Sequence, residues 1–253
     1  MADYVILAIA AFVAGLIDAV VGGGGLVQLP ALFSAMPNAM PATLLGTNKL
    51  AGVCGTTAAA VGFARRVRVQ WSTAVPAAMA AFALSFAGAF AVTHIPPDFI
   101  RKFLPFVLVA VAIYTFRKKD FGSVHAPAHT GRRERAIAIL VGGGIGFYDG
   151  FFGPGTGSFL VFLFVRFFGF DFLGASAVAK VVNVACNFAA LLWFGYSGHL
   201  LWQLGAVMAA CNVIGSLVGI RLAVRYGAGF VRKLFLFVVS ALILKTAYDA
   251  FLG

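Results

Sequence analysis

Val21-Gly22-Gly23-Gly24-Gly25-Leu26 and, far downstream, Phe152-Gly153-Pro154-Gly155-Thr156-Gly157-Ser158 interrupt two apolar stretches that run over residues 4–34 and 136–168. Each stretch is long enough for two short membrane crossings. Glycine and proline at this density end a helix, and a bilayer tolerates a broken helix only where the freed backbone lines a cavity enclosed by protein. Each stretch is therefore expected to form a broken or re-entrant helix hairpin.

The two interruptions are copies. An ungapped offset of 131 residues aligns Gly15 with Gly146, Asp18 with Asp149, Gly22 and Gly24 with Gly153 and Gly155, Lys49 with Lys180, Trp71 with Trp202 and Gly88 with Gly219. The run Phe99, Arg101, Lys102, Phe106, Val107 recurs as Phe230, Arg232, Lys233, Phe237, Val238. A biased composition yields chance matches, but it does not favour the rare Asp, Lys and Trp, so the chain reads as one unit duplicated. Each half then holds about four hydrophobic segments. Residues 42–64, 72–93 and 99–116 follow the first broken segment, and 173–195, 201–224 and 229–252 follow the second. The divisions are a first membrane repeat over 1–120, a basic linker over 121–131 and a second membrane repeat over 132–253.

The composition agrees. Of 253 residues, 62% are apolar and only 11% charged, and the mean hydropathy is +0.98. Apolar runs of about twenty residues are the length of a helical span. The expected fold is an all-α polytopic membrane protein, which excludes a soluble enzyme or a nucleic-acid-binding module. The formal charge of +11 is a topology signal. If every segment crossed once, nine basic residues would face seven across the membrane. If the first segment of each half enters and leaves on one face, the halves become inverted repeats, and fourteen basic residues face only Arg101 and Lys102. Cytoplasmic loops are the basic ones, so the inverted arrangement is preferred, with the central loop cytoplasmic and both termini periplasmic. The start Met1-Ala2-Asp3-Tyr4 has no basic leader, so the first segment is expected to stay in the mature protein. Cys54, Cys186 and Cys211 lie inside spans without a close pair, which suggests neither disulfides nor zinc. Association into a homodimer is left open by the sequence.

Few residues inside the spans can carry chemistry. Lys49 and Lys180 each cost about 2.5–3.5 kcal/mol at mid-membrane, a burden that a bound anion would offset. Permanent pairing with Asp18 and Asp149, or snorkelling to an interface, would offset it as well. Thr47 and Asn48 precede Lys49, and Asn183 and Asn187 share the helix of Lys180. The helix starts after Gly23, Gly24 and Gly25, and at Gly155, Thr156, Gly157 and Ser158, offer N–H groups, hydroxyls and a positive dipole end to an anion. The same glycines would also serve close helix packing. Asp18 and Asp149, the only acids well inside the spans, are candidates for a coupling proton or for a structural pair with lysine. His125 and His129 sit in the basic loop without a third ligand and read as solvated, while Trp71 and Trp202 read as interface anchors. No cofactor, metal site or catalytic set is suggested. Energy must come from a gradient, so the readings are a secondary transporter, a passive anion channel or, less in keeping with the residues, a membrane-embedded enzyme.

Gly15-Leu16-Ile17-Asp18-Ala19-Val20-Val21-Gly22-Gly23-Gly24-Gly25 with Gly46-Thr47-Asn48-Lys49-Leu50-Ala51, and Gly150-Phe151-Phe152-Gly153-Pro154-Gly155-Thr156-Gly157 with Ala179-Lys180-Val181-Val182-Asn183, resemble the TauE/SafE sulfite exporter family over nearly the whole chain. The resemblance implies a bacterial inner-membrane carrier for sulfite, sulfoacetate or another small sulfur-containing anion, driven by the proton gradient. Members of the family differ in substrate and in direction of flow.

Overall fold

The computed structural model describes residues 2–117 and 131–226. The predicted linker as far as residue 130, with His125 and His129, and the last predicted segment, 229–252, lie outside the described residues. The helices are α1 (Ala2–Val21), α2 (Gly25–Ala35), α3 (Pro41–Ala64), α4 (Trp71–Thr93), α5 (Pro97–Arg117), α6 (Gly131–Phe151), α7 (Thr156–Phe168), α8 (Phe172–Tyr196) and α9 (Trp202–Tyr226). There is no strand among the described residues.

Among the described residues four helices, α1, α4, α8 and α9, are long and apolar enough to cross a membrane. The equally long α3 is less apolar because Thr47, Asn48, Lys49, Thr56 and Thr57 lie along it. Helices α2 and α7, with 11 and 13 residues, rise only about 17 and 20 Å at 1.5 Å per residue, short of a hydrocarbon core about 30 Å thick. They are the returning arms of the two expected broken segments. The breaks fall at residues 22–24 and 152–155. Gly22 at φ +79° and Gly153 at φ +88° adopt the left-handed conformation that reverses the chain there.

Contacts between the halves come in exchanged pairs. Helix α4 packs on α6 and α8, and its repeat counterpart α9 packs on α1 and α3. The match extends to single residues: a Cβ on Gly88 would stand 2.3 Å from the Phe147 carbonyl oxygen, and one on its counterpart Gly219 would stand 2.3 Å from that of Leu16, itself the counterpart of Phe147. Small residues let these backbones meet, as is usual between helices in lipid. Counterparts α3 and α8 run antiparallel, with Gly46 against Phe194 and Gly52 against Asn187. Helix α1 runs parallel to α9, with Phe12 against Gly215 and Leu16 against Gly219. The starts of α4 and α6 share an end of the bundle, where Glu134 accepts hydrogen bonds from Ser72 at 2.8 Å and Thr73 at 2.5 Å.

The polarity is inside out relative to a soluble protein. Leu140 is 74% exposed and Met79 70%, whereas Lys49, Lys180, Asn183, Asn187 and Asn212 are buried. A bilayer solvates the first group and excludes the second. Trp71 and Trp202 stand exposed at the first residues of α4 and α9, a placement suited to interface anchors.

Candidate functional site

Both mid-membrane lysines are buried and both are paired, each with an acid of the other half. Lys49 Nζ on α3 donates to Asp149 Oδ2 on α6 at 2.6 Å, with each side chain 2% exposed. Lys180 Nζ on α8 donates to Asp18 Oδ2 on α1 at 2.9 Å, and also to the Asp18 backbone carbonyl. Snorkelling is thereby excluded as the fate of either lysine. Asp18 and Asp149 lie in the last turn of α1 and α6, at the negative end of the helix dipole, where a carboxylate is unfavourable without a cation beside it. The crossed pairs supply that cation and tie the two halves together.

A cavity of about 40 Å³ lies between the pairs. At about 10–15 Å³ per water it has room for about three. Asp18, Lys49 and Asp149 line it, together with Asn48, Asn183 and Asn187 and with Gly22, Gly24, Gly153 and Gly155 of the two breaks. With both pairs intact, the formal charges of Lys49, Lys180, Asp18 and Asp149 cancel.

The structure gathers most of the residues singled out from sequence. Gly24, Gly25, Gly155, Thr156 and Gly157 reach the cavity wall. Lys180, Thr47, Gly23 and Ser158 do not line it. Thr47 Oγ1 donates to the Thr43 carbonyl at 2.7 Å and accepts from the Leu201 N–H at 3.1 Å, a brace between α3 and the start of α9. The hydroxyl of Ser158 lies 3.3 Å from the Gly22 carbonyl oxygen, which also accepts the Ser158 N–H at 2.9 Å. Several first-turn donors expected to be open are therefore engaged: the N–H groups of Leu26 and Val27 likewise donate to Gly23 and Gly24 at 3.0 Å. The packing role of the glycines is met too, since a Cβ on Gly22 would fall 2.6 Å from the Gly157 carbonyl carbon.

Sequence reasoning missed Gln28, Thr56, Gly52 and Asn212, which complete the wall. Gln28 is 2% exposed; its Oε1 accepts from Asn212 Nδ2 at 3.0 Å, but its Nε2 is a buried donor without a hydrogen-bond partner among the described residues. Repeat symmetry concealed these two amides, because their counterparts are Phe159 and Ala81. The usable signal was a lone amide inside an apolar run, Leu26-Val27-Gln28-Leu29 and Cys211-Asn212-Val213. No group of three or more possible metal ligands occurs among the described residues.

An apolar exterior, two half-length helices meeting at glycine breaks and a small charged chamber between repeated halves define a multi-pass helical membrane protein of the transporter class. Within that class the chain belongs to the TauE/SafE family: the family profile described as "Sulfite exporter TauE/SafE" matches residues 7–246. The chain is 38% identical over 244 residues to the "Probable membrane transporter protein ORF9" of Sinorhizobium sp, covering 96% of this chain and 92% of that protein. It is 34% identical over 247 residues to the "Probable membrane transporter protein YfcA" of Escherichia coli K12, covering 97% and 90%. A "Probable membrane transporter protein" of Haemophilus influenzae is 34% identical over 243 residues, covering 94% and 92%. No solved structure matches the chain.

Proposed function

We propose that the protein is a secondary transporter that moves a small sulfur-containing anion, sulfite, sulfoacetate or a related organosulfonate, across the bacterial inner membrane by alternating access coupled to protons. The observation that carries the reading is the pair of crossed Lys–Asp bridges on either side of one polar cavity between the halves. One buried ion pair and a second between a buried lysine and a part-buried acid are a poor way to gain stability, because desolvation offsets most of the Coulomb attraction. Their placement at a cavity points to a ligand of like chemistry. The donors around it, ammonium, amide, hydroxyl and helix-start N–H, suit a ligand rich in acceptors. Space for a few waters is also the scale of a small oxyanion. The family's sulfite-exporter description agrees with a sulfur-containing anion, and the relatives' names agree with membrane transport.

The antiparallel packing of α3 on α8 supports inverted repeats, since a two-fold axis that reverses a spanning helix must lie in the membrane plane. In that arrangement the α3–α4 loop with Arg65, Arg66 and Arg68, the central linker and Arg166 face the cytoplasm, and the loop around Met36 faces the periplasm. The repeats rock about the cavity to expose it to each side in turn. Counterflow in proteoliposomes tests the proposal: radiolabelled sulfite or sulfoacetate outside should concentrate against unlabelled anion inside. Saturable exchange is expected. Non-saturating leak without exchange would make the protein a passive channel and overturn the carrier.

A further inference from the structure

The two ion pairs match by repeat but differ in their surroundings. The Asp18 carboxylate is held from three directions: by Lys180 Nζ at 2.9 Å, by the Gly24 N–H at 3.3 Å and by Thr56 Oγ1 at 3.5 Å. Lys180 is tied in turn to the main chain through the Asp18 carbonyl. The Asp149 carboxylate has a single hydrogen-bonding partner among the described residues, Lys49 at 2.6 Å. The sequence accounts for part of the difference. The counterpart of Thr56 is Asn187, whose amide donates to the Asn183 carbonyl and to Asn183 Oδ1, both at 2.9 Å, instead of to the acid. The lysines differ in access, since Lys49 lines the cavity and Lys180 does not, while both acids line it and the Asp18 side chain is 14% exposed against 2% for Asp149.

We infer that Lys49 and Asp149 form the switching pair that couples a proton to the anion, while Lys180 and Asp18 form a fixed strut; this rests on the anion-carrier reading. The charge balance sets the chemistry. With both pairs intact the chamber is neutral, so an entering anion adds an uncompensated negative charge to a poorly hydrated interior. A proton that bonds to Asp149 Oδ2 cancels that charge and frees the Lys49 ammonium, with its N–H donors, for the guest. On release the proton leaves Asp149 on the receiving side and the pair re-forms. Protonation of Asp18 would not free its cation in this way, because Lys180 stays bonded to the residue 18 carbonyl. The ionisable groups facing Asp149 are Lys49 from α3, Cys186 from α8 and the adjoining Tyr148, whose hydroxyl donates to the Pro154 carbonyl at 2.7 Å. Asp18 shares the cavity wall with Asp149 and carries Lys180 with it. Helix α4 has no ionisable side chain, and α7 has only Arg166, near its far end.

The test is uptake by the full chain in proteoliposomes, using radiolabelled sulfoacetate with and without an imposed pH gradient. In the unaltered protein the gradient should raise accumulation. Whatever exchange Asp149→Asn retains should no longer respond to the gradient, whereas Asp18→Asn should slow transport and keep the response. Loss of the response in Asp18→Asn with retention in Asp149→Asn, or equal loss in both, would overturn the division of roles. Exchange without any gradient response in the unaltered protein overturns the coupling and leaves the carrier standing. Failure to exchange either sulfoacetate or sulfite overturns the carrier itself. Should Asp149→Asn not fold, Asp149→Glu and Asp18→Glu decide: a shifted pH profile in the first alone is expected, and a shift in both or only in the second refutes the assignment.

Discussion

Lys49→Met removes the cation 2.6 Å from Asp149 Oδ2 at a point where both side chains are 2% exposed. Water cannot replace it there, and breaking a buried pair by removing one partner costs about 3–5 kcal/mol. In a chain of this size each kcal/mol moves the melting midpoint by about 2–4 °C, so Tm should fall by about 6–20 °C. Asp149→Leu alone strands the ammonium and should cost a similar amount. Combining the two removes both charges and leaves apolar side chains of comparable volume, so Tm should return to within about 4 °C of the unaltered protein. Melts of the detergent-purified full chain, followed by intrinsic fluorescence, give the cycle, and anion exchange in proteoliposomes gives the function. The double variant should be stable and inactive. If the two losses simply add, the pair does not interact. If the double variant is stable and still transports, the pair is only a brace, and the functional reading of the site fails.

Three further outcomes follow from the geometry. Gly22→Ala would place a methyl 2.6 Å from the Gly157 backbone at φ +79°; the conformation alone costs about 1–2 kcal/mol, and a thermal melt should show more than that, with loss of transport, because the atoms it meets are main chain and not the end of a flexible side chain. Gln28→Leu removes a buried donor that has no partner among the described residues and the acceptor of Asn212, so stability should change little. A hydrogen bond from that donor to an anion would contribute about 1.5–3 kcal/mol, so the KM for sulfoacetate should rise about 10- to 150-fold; an unchanged KM removes Gln28 from the site. In a cysteine-free background, Asn38→Cys should react with an impermeant maleimide from the periplasm, and Arg68→Cys should react only after the membrane is opened. The reverse pattern would refute the proposed orientation.

Much of the site was legible because membranes make polar residues conspicuous. An ammonium, a carboxylate or a run of glycines inside an apolar span carries an energetic burden whatever the tertiary fold, and so Lys49, Lys180, Asp18, Asp149 and the two breaks stood out from sequence. Gln28 and Asn212 did not, because they lack counterparts in the other half. Thr47, selected for its place near Lys49, braces the start of α9 and does not line the cavity, since residues two apart in a helix point to nearly opposite faces.

The sequence alone determined that the chain is helical and embedded in lipid, that it is a doubled unit, and where its helices break. Those properties follow from local composition, spacing and the offset of one half against the other. Only the tertiary structure decided the partners: Lys49 with an acid 100 positions away, Lys180 with one 162 away, and Gln28 with an amide 184 away. Such pairings depend on which helix faces meet where the two halves pack together, and that is set by the packing of all the helices at once.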